Sequence, residues 1–218
     1  MRIKIGIYDF FTHLIGGSFL LTTLSYILPG LPIFSVNISN LSPSQVLILA
    51  IITYVMGYVM TPMQSIWYSF WVPKDMCQKA VSKLNQELSG MGVNLQIMDS
   101  YTLVAFIKRH SVDMAQDVEQ YDAISVMLRN ISFGFLLFSI LLGVQGLFSS
   151  YAAPLFILLG FLCLFLSIML IKEAVKYQTY FFRSIYQSVV ALLVKPEQLS
   201  IRFQEKGILN HNPSIHEK

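Results

Sequence analysis

Every Asp, Glu, Lys and Arg of this 218-residue chain can be placed on one side of a lipid bilayer. Four apolar runs divide the sequence. The stretch between runs one and two, 31–45, holds no charged residue, and neither does the stretch between runs three and four, 148–154. The 15 Lys and Arg fall in three places: Arg2 and Lys4 before the first run, six from Lys74 to Arg129, and seven from Lys172 onward. Basic residues that flank a span stay on the cytoplasmic side. The pattern predicts an all-α polytopic membrane protein with four transmembrane helices and a helical cytoplasmic extension. Both termini and one large loop are expected in the cytoplasm, which argues against a surface receptor for soluble ligands.

Composition agrees. Only 12% of residues are charged, about half the share of a globular domain. The net charge of +3 comes from basic flanks interleaved with 12 acids, so no direct contact with nucleic acid is expected. Cys77 is expected just inside the membrane and Cys163 mid-way along the fourth run. They differ in depth, and the cytoplasm is reducing, so neither a disulfide nor a metal cluster is predicted. The first run, 10–28, exceeds the roughly 7–15 residues of a signal core, and no small-x-small site follows. It is expected to remain as a span.

Span one is placed at 10–28 and stopped by Pro29-Gly30-Leu31-Pro32. Span two is placed at 44–65, with Trp67, Tyr68 and Trp71 at the membrane–water boundary. Pro62 predicts a kink or early unwinding there. Spans three and four are placed at 131–148 and 154–171, each near the 20 residues a bilayer requires. The blocks are then 1–72 (first hairpin), 73–130 (cytoplasmic amphipathic helices), 131–171 (second hairpin), 172–196 (helical extension) and 197–218 (tail, partly disordered). Within 73–130 three helical pieces are expected: 74–88, a second capped by Asp99, and a third capped by Ser111. Nothing interrupts the third before Phe148, so it should run on as span three. A helix over 154–194 would be roughly 60 Å long, about twice the hydrocarbon thickness. The spans are therefore expected to extend into a cytoplasmic stalk.

Asp9 and His13 lie one turn apart at the inner end of span one. They read as a polar pair in the membrane, or as a helix N-terminal acid beside an interfacial histidine. No Asp, Glu, Lys, Arg or His falls within 14–72 or 130–171. That argues against a pump or secondary transporter, which needs charge at membrane depth. A pore gated by apolar constriction stays open. Small residues suited to close helix packing are Gly16 and Gly17 on span one, Thr53, Gly57 and Thr61 on span two, and Ser139 and Gly143 on span three. They serve either a homo-oligomer contact, with a tetramer as the working number, or packing within one subunit. Met76, Val81, Leu84 and Leu88 form one candidate docking face for a cytosolic protein; Tyr177, Tyr180 and Phe181 form another. Metalloprotease, nucleophile-elbow, phosphate-loop and Cys-x-x-Cys motifs are absent from the sequence. No catalytic residue, cofactor or metal ligand is predicted, and the chain is expected not to be an enzyme.

Two short motifs carry a resemblance. Ile7-Tyr8-Asp9-Phe10-Phe11…Gly16-Gly17 resembles the aromatic-Asp-aromatic…Gly opening of small polytopic bacterial proteins, with Gly16-Gly17 where Pro-Gly is usual. Tyr54-Val55-Met56-Gly57-Tyr58…Ser65 resembles the Tyr-x-x-Gly…Ser step of their second span. The layout is similar to the membrane subunit of Kiwa-type anti-phage systems or a CRISPR-associated membrane accessory. The resemblance implies a non-enzymatic inner-membrane component of a bacterial defence system. Such a component senses or perturbs the bilayer and docks a cytosolic partner. The alternatives are a gated homo-oligomeric pore that depolarises the membrane, and an accessory subunit of an unrelated membrane enzyme or transport complex.

Overall fold

The structure, a computed structural model, describes residues 7–27, 42–89, 95–148 and 153–193. Among the described residues there are six helices and no strand: α1 Ile7–Ile27, α2 Pro43–Ser69, α3 Met76–Leu88, α4 Ser100–His110, α5 Val112–Phe148 and α6 Ala153–Leu193. The linker 28–41 and the tail from 194, for which expectations were given above, lie outside the described residues.

Local chemistry explains the boundaries. Ser42 opens α2 with a capping box. Its hydroxyl accepts from the Gln45 N–H at 3.4 Å, and its own N–H donates to Gln45 Oε1 at 2.8 Å. Pro43 follows at the first helical position, where a missing N–H costs nothing. Pro62 removes one bond further on, yet α2 continues to Ser69. The expected early unwinding does not occur, because one lost hydrogen bond is small against packing along the rest of the helix. Asp99 caps α4, its carboxylate accepting from the Thr102 N–H and hydroxyl at 2.9 Å each. Ser111 Oγ accepts from the Met114 N–H at 3.3 Å and starts α5. With no Pro beyond the first turn of either helix, α5 and α6 run unbroken for 37 and 41 residues.

Among the described residues, α2, α5 and α6 are long and apolar enough to cross a membrane; α1 is apolar over the shorter stretch Phe10–Ser25. The outward faces of α2 and of the first half of α6 are largely apolar. Leu47, Ile51, Val55 and Ile66 on α2, and Leu158, Phe161 and Phe165 on α6, are all more than half exposed. Water would not tolerate so large an apolar surface, and lipid tails do. The chain is a helical membrane protein.

It divides into two compact units, Met1–Lys74 with Glu119–Gln178, and Asp75–Val118 with Thr179–Lys218. In the first unit α1 and α2 meet backbone to backbone. A Cβ on Gly17 would lie 1.6 Å from the Thr53 carbonyl oxygen, and one on Gly57 would lie 2.0 Å from that of His13. Only glycine permits this approach. Phe19 of α1 packs on Phe135 and Phe138 of α5, with ring centroids 5.4 and 6.0 Å apart. The second unit has its own core, in which Val81, Leu84, Leu103, Ile107, Ala115, Val118, Ile185 and Val189 are buried together. Each large aliphatic side chain there contributes about 1.5–3 kcal/mol.

Candidate functional site

In the first unit several buried polar side chains are bonded between helices near where the apolar runs meet the charge-bearing segments. Asn130 of α5 is fully buried and donates from Nδ2 to the Thr12 carbonyl of α1 at 3.0 Å. Gly16 gives it room, since a Cβ there would lie 3.0 Å from Asn130 Cγ. Ser132 and Ser167, also fully buried, join α5 to α6 reciprocally. Ser132 Oγ donates to the Ser167 carbonyl at 2.8 Å, and Ser167 Oγ to the Ser132 carbonyl at 2.7 Å. The indole N–H of Trp67 then donates to Ser132 Oγ at 3.0 Å, tying α2 to the same pair. Such bonds hold spans together where lipid gives no hydrophobic drive between helices.

One turn nearer the loops, Arg129 lies over the Tyr68 ring, 3.8 Å from its centroid. Its Nε and Nη2 donate to Ser125 Oγ at 3.3 and 3.0 Å, and Nη2 also donates to Gln178 Oε1. Ser125 in turn donates to the Ala174 carbonyl at 2.9 Å. Tyr68, Ile171 and Ala174 form the apolar floor, with Trp71 and Leu128 against it.

No family model, no curated protein and no solved structure matches the chain. What the site does therefore has to come from its own chemistry. Among the described residues, no group of three or more His, Cys, Asp or Glu is placed to hold a metal ion.

The residues singled out in the sequence are dispersed. The Asp9 side chain lies outside the described residues. His13 is buried, with its ring stacked on Tyr58 at 3.9 Å and edge-on to Tyr54 at 5.8 Å. Gly17, Thr53 and Gly57 make the close α1–α2 contact, and Thr61 bonds the Gly57 carbonyl of its own helix at 3.3 Å. These residues pack within one subunit. Ser139 and Gly143 line, with Ile157, Gly160, Phe161 and Leu164, a shallow apolar groove of about 170 Å³ between α5 and α6. A Cβ on Gly143 would meet nothing within 4 Å.

In the second unit, Met76, Val81 and Leu84 are 6%, 4% and 4% exposed, and Leu88 packs partly buried against the same core. The apolar face of α3 is thus filled by α4, α5 and α6 of its own unit and is not presented to a partner. The amphipathic spacing was real, but spacing alone does not say whether the neighbour is the same chain or another. Phe181 also packs on this core, Tyr180 is 40% exposed, and Tyr177 belongs to the first unit, where its ring lies 6.5 Å from that of Tyr121.

The apolar surface the second unit does present sits elsewhere. The segment before α4 is fastened at two points. The Asn85 amide pairs with both backbone groups of Leu95, at 2.8 and 2.9 Å, and the Tyr186 hydroxyl accepts from the Met98 N–H at 3.1 Å. So fastened, the segment and the first turn of α4 present Ile97, Met98 and Tyr101, which are 57%, 55% and 84% exposed. Sequence reasoning missed these residues, as it missed Arg129, Ser132 and Gln178. Their partners lie 35 to 88 positions away, except for the Ser125–Arg129 and Asn85–Leu95 pairs. The one local signal was that Arg129 is the last cation before a charge-free run.

Proposed function

We propose that the chain is a four-span protein of a bacterial inner membrane, with both termini in the cytoplasm, that holds a cytosolic protein partner and performs no catalysis itself. α1 serves as the fourth span beside α2, α5 and α6. The charge distribution supports the orientation, since every Lys and Arg then lies inside. The observation that carries the reading is the second unit. It is a helical body with its own core, built partly from the ends of α5 and α6, that displays a fastened apolar strip. Ordered apolar side chains on a fixed backbone bind a protein surface at low entropic cost. The resemblance of the first two spans suggests the setting, an anti-phage system in which the partner is the effector or sensor.

The test is affinity purification of the whole protein from its host in mild detergent, with Ile97→Asp and Tyr101→Asp beside it. A stoichiometric soluble partner retained by the wild type and lost from both variants supports the docking strip. Equal recovery from all three removes the strip from the reading. If no partner is recovered and the purified protein conducts ions in planar bilayers, the protein is a pore. Deletion of the gene should leave growth unchanged without phage and lower survival with it. A growth defect without phage would point instead to a metabolic or transport complex.

A further inference from the structure

Among the described residues, Arg129 has no ion-pair partner. Its three fixed contacts are a hydroxyl, a side-chain amide and an aromatic ring, all neutral. No carboxylate of a described residue forms an ion pair with it, and Asp122, on the same face of α5, acts only at longer range. Nη1, with two of the five guanidinium hydrogens, bonds to no described residue. Trp71 packs on the same Tyr68 floor, and its indole N–H is buried without an acceptor among the described residues. Two adjacent groups thus offer donors that no described residue answers, and a positive charge that among the described carboxylates only Asp122 offsets, from a distance. A partly buried charge left without a counter-charge is costly, and arrangements that hold it rigidly add to that cost unless a ligand completes them.

The position identifies the ligand. From Asn130 to Ile171 the chain has no charged residue, so Arg129 stands where the hydrocarbon ends. Phosphate oxygens populate that level. With Nε and Nη2 occupied by Ser125 and Gln178, the guanidinium held flat on the ring leaves the two N–H groups of Nη1 to donate to a phosphate oxygen. Ser125 and Gln178 orient the guanidinium and do not neutralise it. We propose that Arg129, oriented by Tyr68, Ser125 and Gln178 and flanked by the Trp71 indole, binds a phosphate group, supplied by an anionic phospholipid of the inner leaflet. The site needs the membrane placement argued above but not the cytosolic partner, so either can fail without the other.

The test uses the full-length protein in detergent, read by native mass spectrometry and by thermal melting. Three probes separate the contributions: diacylglycerol supplies tails alone, phosphatidylglycerol tails and phosphate, and glycerol 3-phosphate the phosphate alone. Phosphatidylglycerol should be retained about tenfold or more above diacylglycerol, the ratio expected for one charged hydrogen-bonded contact. Arg129→Gln should abolish the preference. Gln178→Glu should abolish it as well while keeping the fold, because the new carboxylate meets Nη2 where the amide now does and neutralises the cation internally. If Arg129→Gln does not fold, Gln178→Glu alone decides. Glycerol 3-phosphate raising the melting temperature of the wild type but not of Gln178→Glu, with no lipid preference, would transfer the site to a soluble phosphate ester and overturn the lipid assignment. Equal retention of the two lipids without any response to glycerol 3-phosphate, or a preference unchanged in Gln178→Glu, would overturn the site itself.

Discussion

Adding one methyl group at Gly17 should separate α1 from α2, and the distances say by how much. Ordinary contact between a Cβ and a carbonyl oxygen begins near 3.4 Å, whereas the added atom would sit 1.6 Å from the Thr53 oxygen. The helices must therefore part by roughly 1.8 Å at that level, the difference between the two distances. At Gly57, where the distance to the His13 oxygen is 2.0 Å, they must part by roughly 1.4 Å. The atom met is backbone in each case, so no rotamer change relieves the clash. Overpacking of this kind costs about 1–3 kcal/mol, and rigid backbone contact puts it at the upper end. For a chain of this size, about 3 kcal/mol is a fall in melting temperature of about 6–12 °C. The measurement is thermal melting in one detergent, scored by loss of the monodisperse peak, for Gly17→Ala, Gly57→Ala and Gly143→Ala. Nothing lies within 4 Å of a Cβ on Gly143, so that variant controls for the substitution itself and should melt with the wild type or slightly above, since alanine favours helix. If Gly17→Ala and Gly57→Ala both melt with Gly143→Ala, the close crossing of α1 and α2 is wrong.

Three further outcomes are expected. Ser132→Ala should destabilise the protein by about 1 kcal/mol and couple to Ser167→Ala by about 0.6 kcal/mol in a double-mutant cycle; additive effects would deny the reciprocal pair. Tyr186→Phe should cost about 1 kcal/mol and raise hydrogen exchange at the Met98 amide while leaving Leu95 protected by Asn85; unchanged exchange at Met98 would show that the hydroxyl does not hold the strip. The Thr102 N–H and hydroxyl beside Asp99 hold its carboxyl below the usual aspartate range. A folded value below the unfolded one gives stability present above the unfolded value, about 3.9, and lost as pH falls through the folded value. Amides of the first turn of α4 should therefore lose protection in acid in the wild type. Asp99→Ser should keep the cap without this pH dependence, and an identical profile in that variant would refute the capping role.

Much of the architecture was legible because a bilayer imposes severe rules on a single sequence. Apolar length, a proline-free pattern and one-sided basic residues suffice to predict long helices, and α5 and α6 follow the predicted course from Ser111 to Phe148 and from Pro154 to within one residue of Val194. The caps at Asp99 and Ser111 were equally legible, since a cap is a contact across three residues. The sites were not. The α3 face read as a dock is core, and the strip that is exposed carries no periodic signal. Arg129 looked like an ordinary basic flank until Tyr68 and Gln178 were brought to it.

The sequence by itself determined which segments are helical and which faces cannot meet water, because backbone propensity and transfer free energy act within a few residues. The tertiary structure alone decided what those faces meet: Gly17 against the Thr53 carbonyl, Ser132 against Ser167, and Arg129 against three neutral groups and, among the described residues, no paired carboxylate. Close approach and charge compensation depend on atoms distant in the chain, and no local pattern specifies them.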